Sequence, residues 1–180
     1  MEVPILKTVK LLALAAALAL AAALTLAACK APPTTTTTSR ALYPDPAQAR
    51  TDLADALKTA AQTHKRILLD FGGNWCGDCQ VLDIYFHDPA NRPILEDNFV
   101  LVHVNIGHMD ANQDIASQYD VPLEKGVPAL AVLSDKGELL YSQRGGEFEA
   151  MRRMDSSAVT RFLVQWQPAK PGCSALMVNC

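Results

Sequence analysis

Two cysteines three residues apart, Cys76 and Cys79, have the spacing needed for reversible thiol–disulfide chemistry. They follow an apolar run at residues 66–71 that predicts a buried strand, and the apolar segment after them predicts a helix. Unpaired N–H groups at a helix N-terminus stabilise a thiolate on the outer cysteine. One helical turn brings the second sulfur back to the first, so the pair can open and close as a disulfide.

Metal binding is the competing interpretation of this pair. A zinc site needs a second Cys or His pair at ligand spacing, and the four histidines (His64, His87, His103 and His108) do not supply one. A copper(I) carrier is a second alternative, because soft thiolates suit that ion. A redox-inert binding module is a third, for which an intact cysteine pair is poor support. The sequence favours redox chemistry, with the cysteine pair as the redox centre, no metal and no separate cofactor.

The elements that must position the pair alternate between helices and strands. Helices are predicted at residues 47–64, 76–85, 90–97, 111–119 and 156–166, and strands at residues 66–71, 99–106, 128–133 and 138–143. His87-Asp88-Pro89 interrupts the second helix, and Asp135-Lys136-Gly137 joins the last two strands as a hairpin. This order predicts an α/β domain with a mixed central β-sheet flanked by helices on both faces.

The order of elements, with Cys-x-x-Cys after the first strand, resembles the thioredoxin family over residues 47–167. The matching motifs are Asp70-Phe71, Trp75-Cys76-Gly77-x-Cys79, Gly126-Val127-Pro128 and Gly145-Gly146. The resemblance implies the thioredoxin fold and thiol–disulfide oxidoreductase activity. In such a cycle Cys76 attacks a substrate disulfide and Cys79 resolves the mixed disulfide.

The resemblance also assigns roles to residues around the cysteines. Asp70 matches a buried acid that accepts a proton from Cys79, since a desolvated carboxylate favours its neutral form. A turn-capping aspartate is the alternative. His103 aligns with the lysine that pairs with this acid, and would make the charge of the pair titrate near neutral pH. An ordinary interior histidine is the alternative there.

Three further residues are expected at the substrate side. Pro128 is implied to be cis, which would expose the Val127 backbone for strand-like pairing with substrate. An ordinary proline at a strand start is the alternative. Trp75 is expected to supply an apolar rim, or else to be a core tryptophan.

Asp78 departs from the proline that thioredoxin carries before its second cysteine. A carboxylate this close to Cys76 disfavours its thiolate. The expected consequence is a changed potential and a domain that acts as a reductant.

The N-terminal residues predict export and a lipid anchor. Lys7 and Lys10 precede an apolar run, and Leu26-Ala27-Ala28-Cys29 resembles a bacterial lipobox. Residues 1–28 are interpreted as a lipoprotein signal peptide, with an uncleaved membrane anchor as the alternative. Cys29 would carry the lipid, and residues 29–46, rich in proline and threonine, would form a tether. Together with Gly72-Gly73, the anchor is similar to those of extracytoplasmic thioredoxin-like lipoproteins.

The C-terminal tail, residues 168–180, contains Cys173 and Cys180. A structural disulfide, two free thiols, and a second redox pair exchanging electrons with Cys76 and Cys79 all remain open. The formal net charge is only −3 and basic residues do not cluster, which argues against a nucleic-acid partner.

The resulting hypothesis is a lipid-anchored reductase of the cell envelope, facing the periplasm. Its substrates would be disulfide-containing envelope proteins, and its electron donor a membrane-embedded thiol protein, as the family resemblance implies. Lys30 after the lipidated cysteine favours the outer membrane over the inner one. A disulfide oxidase or isomerase is the alternative within the class.

Overall fold

The structure, a computed structural model, describes residues 41–169. Within that range the helices are α1 (Ala49–Thr63), α2 (Gly77–Phe86), α3 (Arg92–Asn98), α4 (Gln113–Gln118) and α5 (Ser156–Trp166). The strands are β1 (Arg66–Gly72), β2 (Phe99–Asn105), β3 (Ala129–Leu133) and β4 (Leu139–Ser142). The predicted order of elements is confirmed, including the break between α2 and α3.

The strands form one mixed sheet in the order β2-β1-β3-β4. Strand β1 pairs in parallel with β2 and antiparallel with β3, and β4 closes the hairpin with β3. The central strand β1 therefore runs directly into the loop that carries the cysteine pair. The register places Asp70 opposite His103 on one side and Leu130 on the other.

Side chains of β1 alternate between two buried layers, as the pleat of a strand requires. Ile67, Leu69 and Phe71 join the apolar cluster that contains α1 and α4. Leu68 joins the cluster on the opposite face, which contains residues of α2, α3 and α5. By the same alternation Asp70 faces the α2 side of the sheet, where the cysteines lie. The predicted helices on both faces are confirmed.

Residues 42–46, which the sequence assigns to the tether, pack against the domain. Tyr43 is only 2% exposed, and the Asp45 side chain caps a short 3-10 turn at Pro46–Gln48. The segment shows no helical or strand periodicity because prolines follow Tyr43 and a run of threonines precedes it, so the sequence does not predict this packing. The predicted signal peptide, the predicted lipidation site Cys29, and Cys173 and Cys180 lie outside the described residues. No helix within residues 41–169 is long and apolar enough to cross a membrane.

Candidate active site

The cysteine pair lies at the N-terminus of α2. Cys76 is the N-cap residue, and its Sγ accepts a hydrogen bond from the Cys79 amide at 3.1 Å. The two sulfurs are bonded at 2.08 Å, with the Cα atoms 5.2 Å apart. Cys76 retains 5% exposure and Cys79 is fully buried. Cys76 is thus the outer sulfur and Cys79 the inner one, which is the arrangement the helix predicts.

The loop before β3 lies against the outer sulfur. The Val127–Pro128 peptide bond is cis, and the Val127 carbonyl oxygen is 3.6 Å from Cys76 Sγ. The Val127 backbone, which the sequence predicts to pair with substrate, therefore lies next to the outer sulfur. Gly126, at φ +107°, leaves no room for a side chain, because a Cβ would lie 2.7 Å from that of Glu149.

Asp70 lies on the α2 side of β1 and is 1% exposed. Its Oδ2 accepts a hydrogen bond from the Tyr43 hydroxyl at 2.8 Å and lies 2.9 Å from His103 Nδ1. Its Oδ1 is buried and has no hydrogen-bond partner among the described residues. The structure therefore brings Asp70 and His103 together, as the strand alignment predicts, and it adds a tyrosine that the sequence did not reveal.

Tyr43 contacts both members of the Asp70–His103 pair. Its ring packs edge-on against His103, with centroids 5.2 Å apart. Burial, together with the neighbouring Asp70 carboxylate, raises the pKa of the Tyr43 phenol well above its usual range. The phenol consequently stays protonated and acts as a fixed hydrogen-bond donor.

Gly72, the last residue of β1, allows the inner sulfur and Tyr43 to approach the strand. A Cβ at Gly72 would lie 2.7 Å from Cys79 Sγ and would also collide with the Tyr43 hydroxyl. Any larger residue must push one of these groups away. The hydroxyl and the inner sulfur are thus neighbours across a single glycine.

Asp78 is held by an arginine that the sequence did not connect to it. Arg152 donates to Asp78 Oδ2 from Nη2 at 2.8 Å and from Nε at 3.1 Å, and its backbone N–H donates to Oδ1 at 2.9 Å. These side-chain hydrogen bonds lower the pKa of the Asp78 carboxyl. Asp78 is therefore not the uncompensated charge that its position beside Cys76 predicts, because a guanidinium neutralises it.

Trp75 forms an exposed rim rather than part of the core. It is 47% exposed, its Nε1–H donates to the Gly107 carbonyl, and its ring stacks on His108 with centroids 5.9 Å apart. The apolar rim expected from the sequence is present, and His108 is an unpredicted part of it. Within residues 41–169, no group of three or more His, Cys, Asp or Glu side chains is placed to hold a metal ion.

Comparison with known proteins identifies the class. A family model described as thioredoxin-like matches residues 48–134. The thioredoxin of Buchnera aphidicola subsp. Baizongia pistaciae is 30% identical over 84 residues, covering 47% of this chain and 69% of the relative. The thioredoxin of Pongo abelii is 27% identical over 117 residues, which cover 65% of this chain and 95% of the relative.

A solved structure extends the match. The disulphide isomerase from Xylella fastidiosa Temecula1 is 32% identical with a TM-score of 0.66, covering 69% of this chain and 95% of that one. The chain therefore belongs to the thioredoxin-like family. It is a thiol–disulfide oxidoreductase with the Cys-x-x-Cys pair at disulfide distance.

Proposed function

We propose that the protein is a membrane-tethered reductase of disulfides in the cell envelope. The Cys76 thiolate attacks one substrate sulfur, so that a mixed disulfide forms and the other substrate sulfur leaves as a thiolate that takes up a proton. Cys79 then gives its proton to Asp70 and attacks Cys76 Sγ, which breaks the mixed disulfide and releases the second substrate sulfur as a thiolate that takes up a proton. Two electrons pass from the dithiol to the substrate, and the enzyme is left as the Cys76–Cys79 disulfide.

Asp70 is the proposed acceptor of the Cys79 proton. It is a buried carboxylate on the same face of β1 as α2, and its Oδ1 has no partner in residues 41–169. A carboxylate in that position can take a proton as the inner thiol reacts. The other oxygen, Oδ2, is already engaged by the Tyr43 hydroxyl and by His103 Nδ1, which lies 2.9 Å away.

The observation that supports the reductive direction is the pairing of Arg152 with Asp78, the residue before the second cysteine. A strong oxidant stabilises its reduced form, above all its outer thiolate. Here the guanidinium of Arg152, which lies close to Gly77, is hydrogen-bonded to Asp78. The Asp78–Arg152 pair carries no net charge, so it adds little to the stabilisation that the helix N-terminus and the Cys79 amide give to the Cys76 thiolate.

The cell-envelope location and the partners are part of the same proposal. The lipobox-like sequence before Cys29 supports a lipid anchor facing the periplasm, with the outer membrane favoured by Lys30. Envelope proteins with unwanted disulfides are the proposed substrates, and a membrane-embedded thiol protein the proposed donor. Labelling cells with a fatty-acid analogue tests the anchor: wild-type protein is expected to be labelled and Cys29→Ser unlabelled. A labelled Cys29→Ser protein would contradict the assignment.

Disulfide isomerisation is the second candidate, favoured by the similarity to the Xylella fastidiosa isomerase. An isomerase uses the outer thiolate without net electron transfer, so Cys79 is dispensable for part of its activity. Recovery of a scrambled-disulfide protein by Cys79→Ser, in the absence of added reductant, would favour isomerisation. A reductase needs both cysteines and is expected to fail in that assay.

The equilibrium potential tests the direction of electron flow. We expect the Cys76–Cys79 pair, equilibrated with glutathione buffers, to be more reducing than about −200 mV. A potential near about −120 mV, typical of a strong oxidant, would overturn the reductive assignment. Copper(I) titration of the reduced domain tests the metal-carrier alternative, which requires tight stoichiometric binding that Cys76→Ser abolishes.

A further inference from the structure

We propose that Tyr43 is a positioning residue for proton transfer at Asp70, so that the N-terminal strap (residues 42–46) completes the redox site. The inference rests on the proposed role of Asp70 as the acceptor of the Cys79 proton. The inference adds to the redox site a residue that lies outside the cysteine motif, in a segment that the sequence assigns to the tether.

The N-terminal strap is fixed to the loop that carries Cys76. Asn74 Oδ1 accepts hydrogen bonds from the backbone N–H groups of Leu42 and Tyr43, at 2.7 and 2.9 Å. Asn74 Nδ2 donates to the Tyr43 carbonyl at 2.9 Å. Asn105, at the end of β2, donates to the Pro44 carbonyl at 2.6 Å. The position of the Tyr43 hydroxyl is thus determined by the active-site loop and by the strand that carries His103.

The hydroxyl makes the two oxygens of Asp70 unequal. Oδ2 is occupied by Tyr43 and His103, whereas Oδ1 is buried without a partner in the described range. A donor to a carboxylate stabilises its charged form. Tyr43 therefore keeps Asp70 ready to accept a proton, and it leaves Oδ1 as the oxygen that receives it. The contact across Gly72 places the same hydroxyl beside Cys79 Sγ.

The charged and titratable groups near Asp70 come from several elements, and Tyr43 differs from them in keeping its proton. His103 approaches Asp70 from β2 and Tyr43 approaches it from the strap, while β3 places the apolar Leu130 opposite it. The buried Asp83 of α2 acts on the Tyr43 phenol. Asp83 adds to the raised pKa of the Tyr43 phenol, after burial and Asp70. His87 in turn lies 3.3 Å from the Asp83 carboxylate. Tyr43 consequently contributes a hydrogen bond from a group that stays protonated, which distinguishes its role from that of the ionisable His103 imidazole.

The pH profile of disulfide reduction by Tyr43→Phe tests the proposal. Loss of a hydrogen bond to a charged group increases the proton affinity of Asp70, so the acid limb is expected to move up by about one pH unit. Tyr119→Phe is the matched control. Tyr119 is also buried, at 5% exposure, and burial raises its pKa, but it has no contact with Asp70 among the described hydrogen bonds. Its profile is expected to coincide with that of the wild type.

Asp70→Asn separates failure of this inference from failure of the proposed role of Asp70. We expect Asp70→Asn to remove the part of the acid limb that Asp70 contributes and to leave the part due to protonation of Cys76. The double variant with Tyr43→Phe is expected to match Asp70→Asn alone. A Tyr43→Phe profile that coincides with the wild type, while Asp70→Asn alters it, would overturn only the role of Tyr43. An unaltered Asp70→Asn profile would overturn both roles.

A second replacement keeps the test independent of folding. Site-specific incorporation of a fluorinated tyrosine at position 43 retains the ring and makes the hydroxyl a stronger donor. The acid limb is then expected to move to lower pH, opposite to the effect of Tyr43→Phe. A shift in the same direction as Tyr43→Phe would indicate a packing effect and overturn the hydrogen-bond role.

Discussion

Two aspartates lie in the active-site region, Asp78 in the cysteine helix α2 and Asp70 in β1, and they differ in burial and in their hydrogen-bond partners. Asp78, on the solvent side of Cys76, is held by Arg152, a permanent cation. Asp70, on the α2 side of β1, is buried and held by a neutral phenol and a histidine. Asp78 consequently keeps its charge at working pH, while the environment of Asp70 can change. The difference between the two aspartates therefore lies in their burial and in their hydrogen-bond partners, and the proposed proton transfer is assigned to the buried one.

The largest expected effect comes from removing the titratable carboxylate on the inner side. Asp70→Asn is expected to lower the rate of disulfide reduction at neutral pH by about 100-fold, because general base catalysis contributes at least that much. Asp78→Asn, the same exchange on the outer side, is expected to change the rate by less than about threefold, since Asp78 exchanges no proton. Steady-state reduction of an insulin-type disulfide measures both. Equal losses in the two variants would remove the distinction between the sites.

The next contrast is between two glycines, Gly72 at the end of β1 and Gly77 at the start of α2. Gly72→Ala is expected to lower the free energy of unfolding by about 2 kcal/mol, because the added Cβ meets Cys79 Sγ and the Tyr43 hydroxyl. Gly77→Ala is the control, since its Cβ would lie 3.8 Å from the nearest Arg152 atoms. Denaturant unfolding of the oxidised proteins compares the two. Equal stability of both variants would show that the inner side is less tightly packed than described.

A smaller effect is expected from unbalancing the Asp78–Arg152 pair. Arg152→Gln leaves the Asp78 carboxylate without its cation. The midpoint of the Cys76 thiolate titration is therefore expected to rise by about half a pH unit. Asp78→Asn leaves the guanidinium and is expected to lower the midpoint by a similar amount. The double variant is expected to return to the wild-type value. Thiolate absorbance of the reduced proteins measures the midpoints, with Arg153→Gln as the control for loss of a neighbouring positive charge. Shifts of the same sign in both single variants would contradict compensation.

The smallest expected effect is the pH dependence of stability from the same ion pair. The pKa of Asp78 is lowered in the folded protein, so its stabilising contribution is present above the unfolded pKa of about 3.9 and is lost as pH falls through the lower folded value. Arg152 is largely exposed, and the effect on the melting temperature is therefore expected to be about 2 °C. Melting of wild type and Asp78→Asn is compared at neutral and strongly acidic pH. A difference that grows on acidification would reverse the expected sign.

Local motifs explain which features could be predicted from the sequence. The cysteine spacing, the apolar strand before it and the Val127-Pro128 loop are contiguous patterns. The Asp70–His103 pair is predicted from the resemblance to thioredoxin, in which His103 aligns with the lysine that pairs with the buried acid. Tyr43 and Arg152 could not be found in this way, because they lie 27 and 74 residues from the aspartates that they contact. Tyr43 also lies in a proline- and threonine-rich segment that gives no sign of burial. The missing information was therefore the partners of each carboxylate, which depend on tertiary packing.

The redox state of Cys76 and Cys79 in living cells tests the reductase proposal most directly. Acid quenching, thiol alkylation and peptide mapping measure it, and the mapping separates this pair from Cys173 and Cys180. The proposal predicts a mostly reduced pair, because a reductase in an oxidising compartment must be supplied with electrons. A mostly oxidised pair would contradict it and would favour an oxidant.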